Sequence, residues 1–231
     1  MSGPGRAPFG DVPARLAEVR ERIAAAGGDA GRVRVVAVTK GLDYGAVLAA
    51  RLAGCDEIGE NYADELVAKA VRLRAESPDA GVRWHLIGGI QRRSVARLAP
   101  FVGLYEAVDR VEEGVALARH APGAAVLVEV DTTGLPGRGG VAADEAPDLV
   151  GRLGALGLDV RGLMTVAAPR DPDRARRSFA QVFSLVARLG LREASMGMSG
   201  DFELAVAEGS TMVRLGTALF GPRPAGRAMP E

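Results

Sequence analysis

Short apolar runs alternate with amphipathic helical stretches along almost the whole chain, and this alternation restricts the fold more than any other feature of the sequence. Runs at 33–38, 57–59, 84–87, 102–107, 124–130, 160–166, 193–196 and 212–215 are rich in aliphatic and β-branched residues and read as buried strands. Helix-period segments separate them, at about 44–53, 63–75, 91–98, 111–119 and 144–156, then from 172 and at 202–208. Strand and helix in strict turn predict an α/β fold, a single-domain (β/α)8 barrel of parallel strands. A doubly wound open sheet is the main rival, but the pattern shows no topological switch point.

One helix stands outside this alternation. Val12, Leu16, Val19 and Ile23 share a face, Asp11 is placed as N-cap, Pro13 suits the first turn and Gly27-Gly28 stop the helix. The residues after Phe220 are too proline-rich for a closing helix, so the helix at 11–26 is expected to cover the ring where an eighth helix is short or missing. The expected organisation is a flexible tail at 1–10, one barrel at 11–221 and a short tail at 222–231.

Charge narrows the partners. Lys+Arg and Asp+Glu balance at 29 each, which leaves no electrostatic footprint for nucleic acid or an anionic membrane. The basic clusters Arg92-Arg93 and Arg174 to Arg177 are short enough to be solvated helix faces. Cys55 is the single cysteine, and His85 and His120 lack zinc spacing, so disulfide and zinc frameworks are excluded. No apolar run spans a membrane and the first residues lack a signal-peptide core, so a cytoplasmic protein is expected.

In a parallel barrel the strand ends that face a ligand all lie at the carboxyl-terminal rim. Lys40 ends the first strand, Glu60-Asn61-Tyr62 follows the second, and His85 lies on the third with Gly88 just beyond. Asp131-Thr132-Thr133, Thr165, Ser195 to Ser199 and Gly216-Thr217 complete the rim. A lysine amine in apolar surroundings has its charged form disfavoured and becomes a nucleophile toward carbonyls. Ser199 or Asp201 is placed to cap the helix at 202–208, and Gly216-Thr217 follows the last strand directly. Glycine and hydroxyl residues there form the usual barrel phosphate site. The loop Gly134 to Gly140 lacks the Lys-Ser/Thr of a nucleotide P-loop, and that reading is rejected. A lysine opposite a phosphate cradle suits pyridoxal 5′-phosphate (PLP), its aldehyde held as a Schiff base on Lys40 and its phosphate at Ser199, Gly216 and Thr217. Arg214, on the last strand, is placed to reach the pyridine nitrogen and keep it unprotonated, which makes the ring a poor electron sink.

An ordered set of segments carries a resemblance over nearly the whole chain. They are Val-Ala-Val-Thr-Lys40, Ile58-Gly-Glu-Asn-Tyr62, Trp84-His-Leu-Ile-Gly-x-Ile-Gln91, Arg161-Gly-Leu-Met-Thr165, Ser195-Met-Gly-Met-Ser-x-Asp-Phe202 and Gly209 to Gly221. In these the chain resembles the pyridoxal-phosphate homeostasis protein family, single-domain relatives of the alanine racemase barrel. The resemblance implies a fold-type III barrel with PLP on Lys40, Asn61 near the cofactor, phosphate contacts from Ser199, Gly216 and Thr217, and Arg214 at the pyridine nitrogen. Met164 and His85 would form the surrounding shell. It also implies a protein that binds, stores or hands over PLP, with PLP-dependent apo-enzymes as recipients and no established catalytic reaction. The chain departs from the family where Arg92-Arg93-Ser94 replaces a Ser-Asn-Lys segment and Arg138 replaces a lysine that an arginine cannot mimic as an amine.

Two enzymatic readings stay open on the sequence. A racemase-like enzyme shares Lys40 and the cradle, but Tyr44, Tyr62 and Tyr105 sit too early to supply the second base that alanine racemase takes from an added β-domain. A Schiff-base aldolase for a sugar phosphate shares the same pair of features and leaves Arg214 and Asn61 without a task.

Overall fold

The computed structural model describes residues 9–78 and 81–222. Eight parallel strands form a closed barrel: β1 (Arg34–Val38), β2 (Glu57–Glu60), β3 (Arg83–Leu86), β4 (Val102–Val108), β5 (Ala125–Asp131), β6 (Asp159–Met164), β7 (Glu193–Met198) and β8 (Met212–Leu215). Each strand pairs with its neighbours in chain order, and β8 returns to β1 to complete the ring. The helices are α1 (Val12–Ala25), α2 (Tyr44–Leu52), α3 (Ala63–Glu76), α4 (Val95–Leu98), α5 (Val111–His120), α6 (Ala146–Ala155), α7 (Pro172–Arg188), α8 (Phe202–Ala207) and α9 (Thr217–Phe220).

Local chemistry accounts for the helix starts. Asp43 Oδ1 accepts the Gly45 N–H at 2.8 Å and caps α2, and Asp171 does the same for Arg174 at the start of α7. Helical spacing then places Phe179, Val182 and Val186 of α7 in the core between helices and strands. A smaller apolar cluster, with Val36, Leu104, Leu127, Met164 and Met212, fills the barrel itself. Gly162 is required where β6 meets β7, because a Cβ there would lie 1.8 Å from the Glu193 carbonyl oxygen.

The first helix takes the place expected of it. α1 packs against α2, α8 and the four-residue α9, burying Val12, Leu16, Val19 and Ile23. Arg22 pairs with Glu203 of α8, and the Phe9 ring meets Phe220 edge-on at 5.7 Å. Asp11 stands at the N-cap but makes no side-chain cap bond.

Other details depart from the pattern. The helix expected at 91–98 is a 3-10 turn at Arg92–Ser94 followed by the single turn of α4. A two-residue strand, Val141–Ala142, pairs beside the end of β5. β7 runs on to Met198, which places Ser195 inside the barrel wall, not in the loop that follows it. Most of the tails expected at 1–10 and 222–231 lies outside the described residues. No helix among the described residues is long and apolar enough to cross a membrane.

Candidate functional site

Lys40 stands two residues beyond β1, in a turn closed by the Leu42 N–H on the Thr39 carbonyl at 3.0 Å. Gly41 has φ +72°, a value that favours glycine as the third residue of such a turn. The loops after β7 and β8 form the facing rim. Ser199 Oγ accepts the Gly216 N–H at 3.2 Å and the Ala218 N–H at 3.1 Å, tying the two loops together at the start of α9. Ser199 therefore serves α9 and not α8, while Asp201 accepts the Met198 N–H at 2.6 Å and makes no cap bond.

A cavity of about 240 Å³ lies between the rims, lined by Lys40, Ser199, Arg214, Gly216 and Thr217. Val38, Ile87 and Phe220 supply apolar wall. Asn61 and Met164 line a second cavity of about 490 Å³, which shares Ile87 with the first and also takes in Asp109, Glu129, Asp131 and Arg138. A primary amine at one end and hydroxyl and amide donors at the other suit a ligand that carries both a carbonyl and an anionic group.

His85 lines neither cavity. His85 and Ile87 share one face of the β3 segment, so His85 lies deeper within the barrel and Ile87, two residues nearer the rim, reaches the cavity wall. Its Nδ1 is 2.6 Å from Glu106 Oε1 and its Nε2 is 2.6 Å from Glu57 Oε2. Burial disfavours an imidazolium, but Glu106 and Glu57 outweigh it by hydrogen bond and charge and raise the His85 pKa above its ordinary value. Burial likewise opposes the Glu106 carboxylate, which His85, Arg214 and Ser195 together hold below its ordinary value.

The polar chain continues upward to the cavity. Ser195 Oγ donates to Glu106 Oε2 at 2.6 Å, and Arg214 Nη1 donates to Ser195 Oγ at 2.6 Å and to the Ser195 carbonyl at 2.8 Å. Arg214 Nη2 reaches the Thr165 carbonyl at 2.8 Å, so the guanidinium is held from β6 and β7 beneath the cavity. Burial pulls its pKa down, opposed by the charges of Glu106, Glu129 and Asp201.

Residues 14–224 match the family described as alanine racemase, N-terminal domain. The chain is 40% identical over 214 residues to the pyridoxal phosphate homeostasis protein of Deinococcus radiodurans, covering 90% of this chain and 99% of the relative. It is 33% identical over 229 residues to the protein of that name in Escherichia coli K12, covering 92% and 97%. The chain belongs to the pyridoxal phosphate homeostasis proteins of this family. Solved structures of the relative PipY from Synechococcus elongatus, without PLP and with PLP bound, superpose with TM-scores of 0.81 and 0.78. In both, identity is 30%, covering 91% of this chain and all of PipY.

Two strands of this homeostasis-family chain carry a glutamate within an apolar run, Glu106 fully buried and Glu129 half-buried. Glu106 stands in Leu104-Tyr-Glu-Ala-Val108, and Glu129 in an equally apolar run. An acidic residue inside such a run was the available signal, because a buried carboxylate needs a partner or a raised pKa. Of the two replaced family segments, Arg138 lines the second cavity, and Arg92 and Arg93 lie on the exposed 3-10 turn.

Proposed function

We propose that this protein binds PLP in the Lys40 cavity and acts in PLP homeostasis, as a carrier that stores or transfers the cofactor. One observation carries the reading: Lys40 faces Ser199, Gly216 and Thr217 across a single cavity under which Arg214 is locked. The donor set fits the group. Ser199, Gly216 and Thr217 would hold the phosphate, Arg214 the pyridine nitrogen, and Asn61 and Met164 the flank toward the second cavity. Bound PLP supplies an aldehyde that condenses with a primary amine, a C=N bond replacing C=O with loss of one water.

The chain's own residues favour carriage over turnover. Arg214 carries a guanidinium beneath the ring position, which keeps a pyridine nitrogen unprotonated and limits carbanion chemistry. Tyr44 packs under Arg72 and Tyr105 is buried in the core, so both are committed away from the cavities. Cys55 is buried and its thiol is pushed up to about 11 by that burial, which fits a structural residue in a reducing, cytoplasmic setting. PLP-dependent apo-enzymes are the natural recipients.

The test is the visible spectrum of purified protein with PLP, before and after borohydride reduction, followed by peptide mass mapping. A new absorption band and a pyridoxyl label on Lys40 are expected. A band that persists unchanged in Lys40→Ala overturns the assignment, and α-proton exchange of an amino acid above the rate of free PLP overturns the carrier reading.

A further inference from the structure

The Ile58 to Tyr62 segment contains a residue that ligand binding does not use. Asn61 points to the second cavity, whereas Glu60 is fully buried on the opposite side of β2, beneath α3. Its Oε1 accepts from Thr39 Oγ1 at 2.5 Å and from Lys69 Nζ at 2.7 Å. Lys69 is itself buried and spends its remaining two donors on the Thr39 carbonyl at 2.8 Å and Glu65 Oε1 at 2.7 Å. The Glu65 carboxylate then accepts the Gly41 N–H at 2.9 and 3.1 Å.

Thr39 and Gly41 are the two chain neighbours of Lys40. The side chain and carbonyl of one and the N–H of the other are gripped by a single three-residue ion cluster. Thr39 N–H is also paired, with the Gly59 carbonyl at 3.0 Å, so the turn that carries Lys40 has little freedom left. Glu65 precedes Lys69 by one helical turn, the favourable order for such a pair on a helix.

We propose that Glu60, Glu65 and Lys69 are positioning residues for the Lys40 amine, fixing the turn that presents it to an aldehyde ligand. This rests on the PLP reading of the cavity and deepens it. None of the three lines either cavity, so they act only through Thr39 and Gly41. A pre-ordered turn spares the ligand the cost of ordering it, and the gain appears only where bonding to the amine contributes to affinity. A buried ion cluster is weak evidence for stability, because apolar residues of the same volume serve as well, and its use here is geometric.

The experiment compares PLP with pyridoxine 5′-phosphate, which keeps the ring and phosphate but carries an alcohol in place of the aldehyde. Dissociation constants for both, and the rate of borohydride trapping on Lys40, are measured for the full chain and for Lys69→Met, Lys69→Arg and Glu65→Ala. Glu65 is partly exposed, so Glu65→Ala carries the test if Lys69→Met does not fold. Lys69→Met and Glu65→Ala are expected to weaken PLP at least tenfold and slow trapping, with pyridoxine 5′-phosphate binding changed less than twofold and Lys69→Arg intermediate. Equal weakening of both ligands, or no change in either, overturns the inference and leaves the PLP reading intact. If the unaltered protein takes up neither ligand, the PLP reading itself falls, and this inference with it.

Discussion

Glu106 Oε1 lies 2.6 Å from His85 Nδ1 in the middle of the barrel, and both residues are fully buried. With Glu57 on the other ring nitrogen, the imidazole is placed to be held as a cation. Its pKa is raised above 6.5, so its contribution to stability is complete below that value and is lost as pH climbs through the folded-state pKa. Nitrogen-15 NMR of the imidazole at pH 6, below the ordinary value, should therefore show both ring nitrogens protonated. A neutral ring at that pH would contradict the carboxylate-bracketed geometry.

Breaking this pair from one side should be costly. Glu106→Gln removes the carboxylate from a buried cation and from Ser195, and a loss of about 3 kcal/mol is expected. Urea denaturation at pH 6 measures it. Because Ser195 also holds Arg214, the absorption maximum of bound PLP should move in the same variant.

Glu129 is a different kind of acid, half-buried at the wall of the second cavity. Burial pushes its carboxyl up to about 7, with Asp109, Glu113 and Asp131 adding to the rise against Arg214. Folding thus takes up a proton between 4.5 and about 7, and stability falls as pH rises through that window. Glu129→Gln should match the unaltered protein at pH 4.5 and exceed it at pH 8 by on the order of 2 kcal/mol. Equal stability at pH 8 would show that the ionised form is compensated in the fold.

Gly88 supports Asn61 by its lack of a side chain. A Cβ there would lie 2.3 Å from the Asn61 carbonyl oxygen and 2.8 Å from its Cγ. Gly88→Ala should cost about 1–3 kcal/mol in stability and weaken PLP by displacing Asn61, readable by denaturation and by titration. Gly89→Ala meets nothing within 4 Å and serves as the matched control.

The first helix should be part of the folded unit. Ile23→Ala, at a fully buried position, is expected to cost about 2–5 kcal/mol in thermal or chemical denaturation. Removing residues 1–26 should leave an unstable, poorly soluble chain; a stable truncated protein would show that α1 is only an appendage.

Period and punctuation in the sequence determined the barrel. Strands of the Val35–Val38 kind are apolar enough to be buried on both faces, and the helix spacing between them leaves parallel pairing as the natural solution. Lys40, Ser199, Gly216 and Thr217 were legible for the same reason, since each follows a strand and every strand end in such a barrel meets at one rim. The partners of Glu106 and the place of His85 were not legible, because position along a strand does not reveal which side chains meet across the barrel axis. The role of Lys69 was hidden likewise: it reads as a helix-surface lysine until α3 folds over β1 and β2 and buries it on Glu60 and the Thr39 carbonyl. Local sequence pattern decides secondary structure and the face on which chemistry collects. The pairing of buried charges depends on contacts between distant strands and helices, so only the tertiary structure decided which of them hold Arg214 and Lys40 in place.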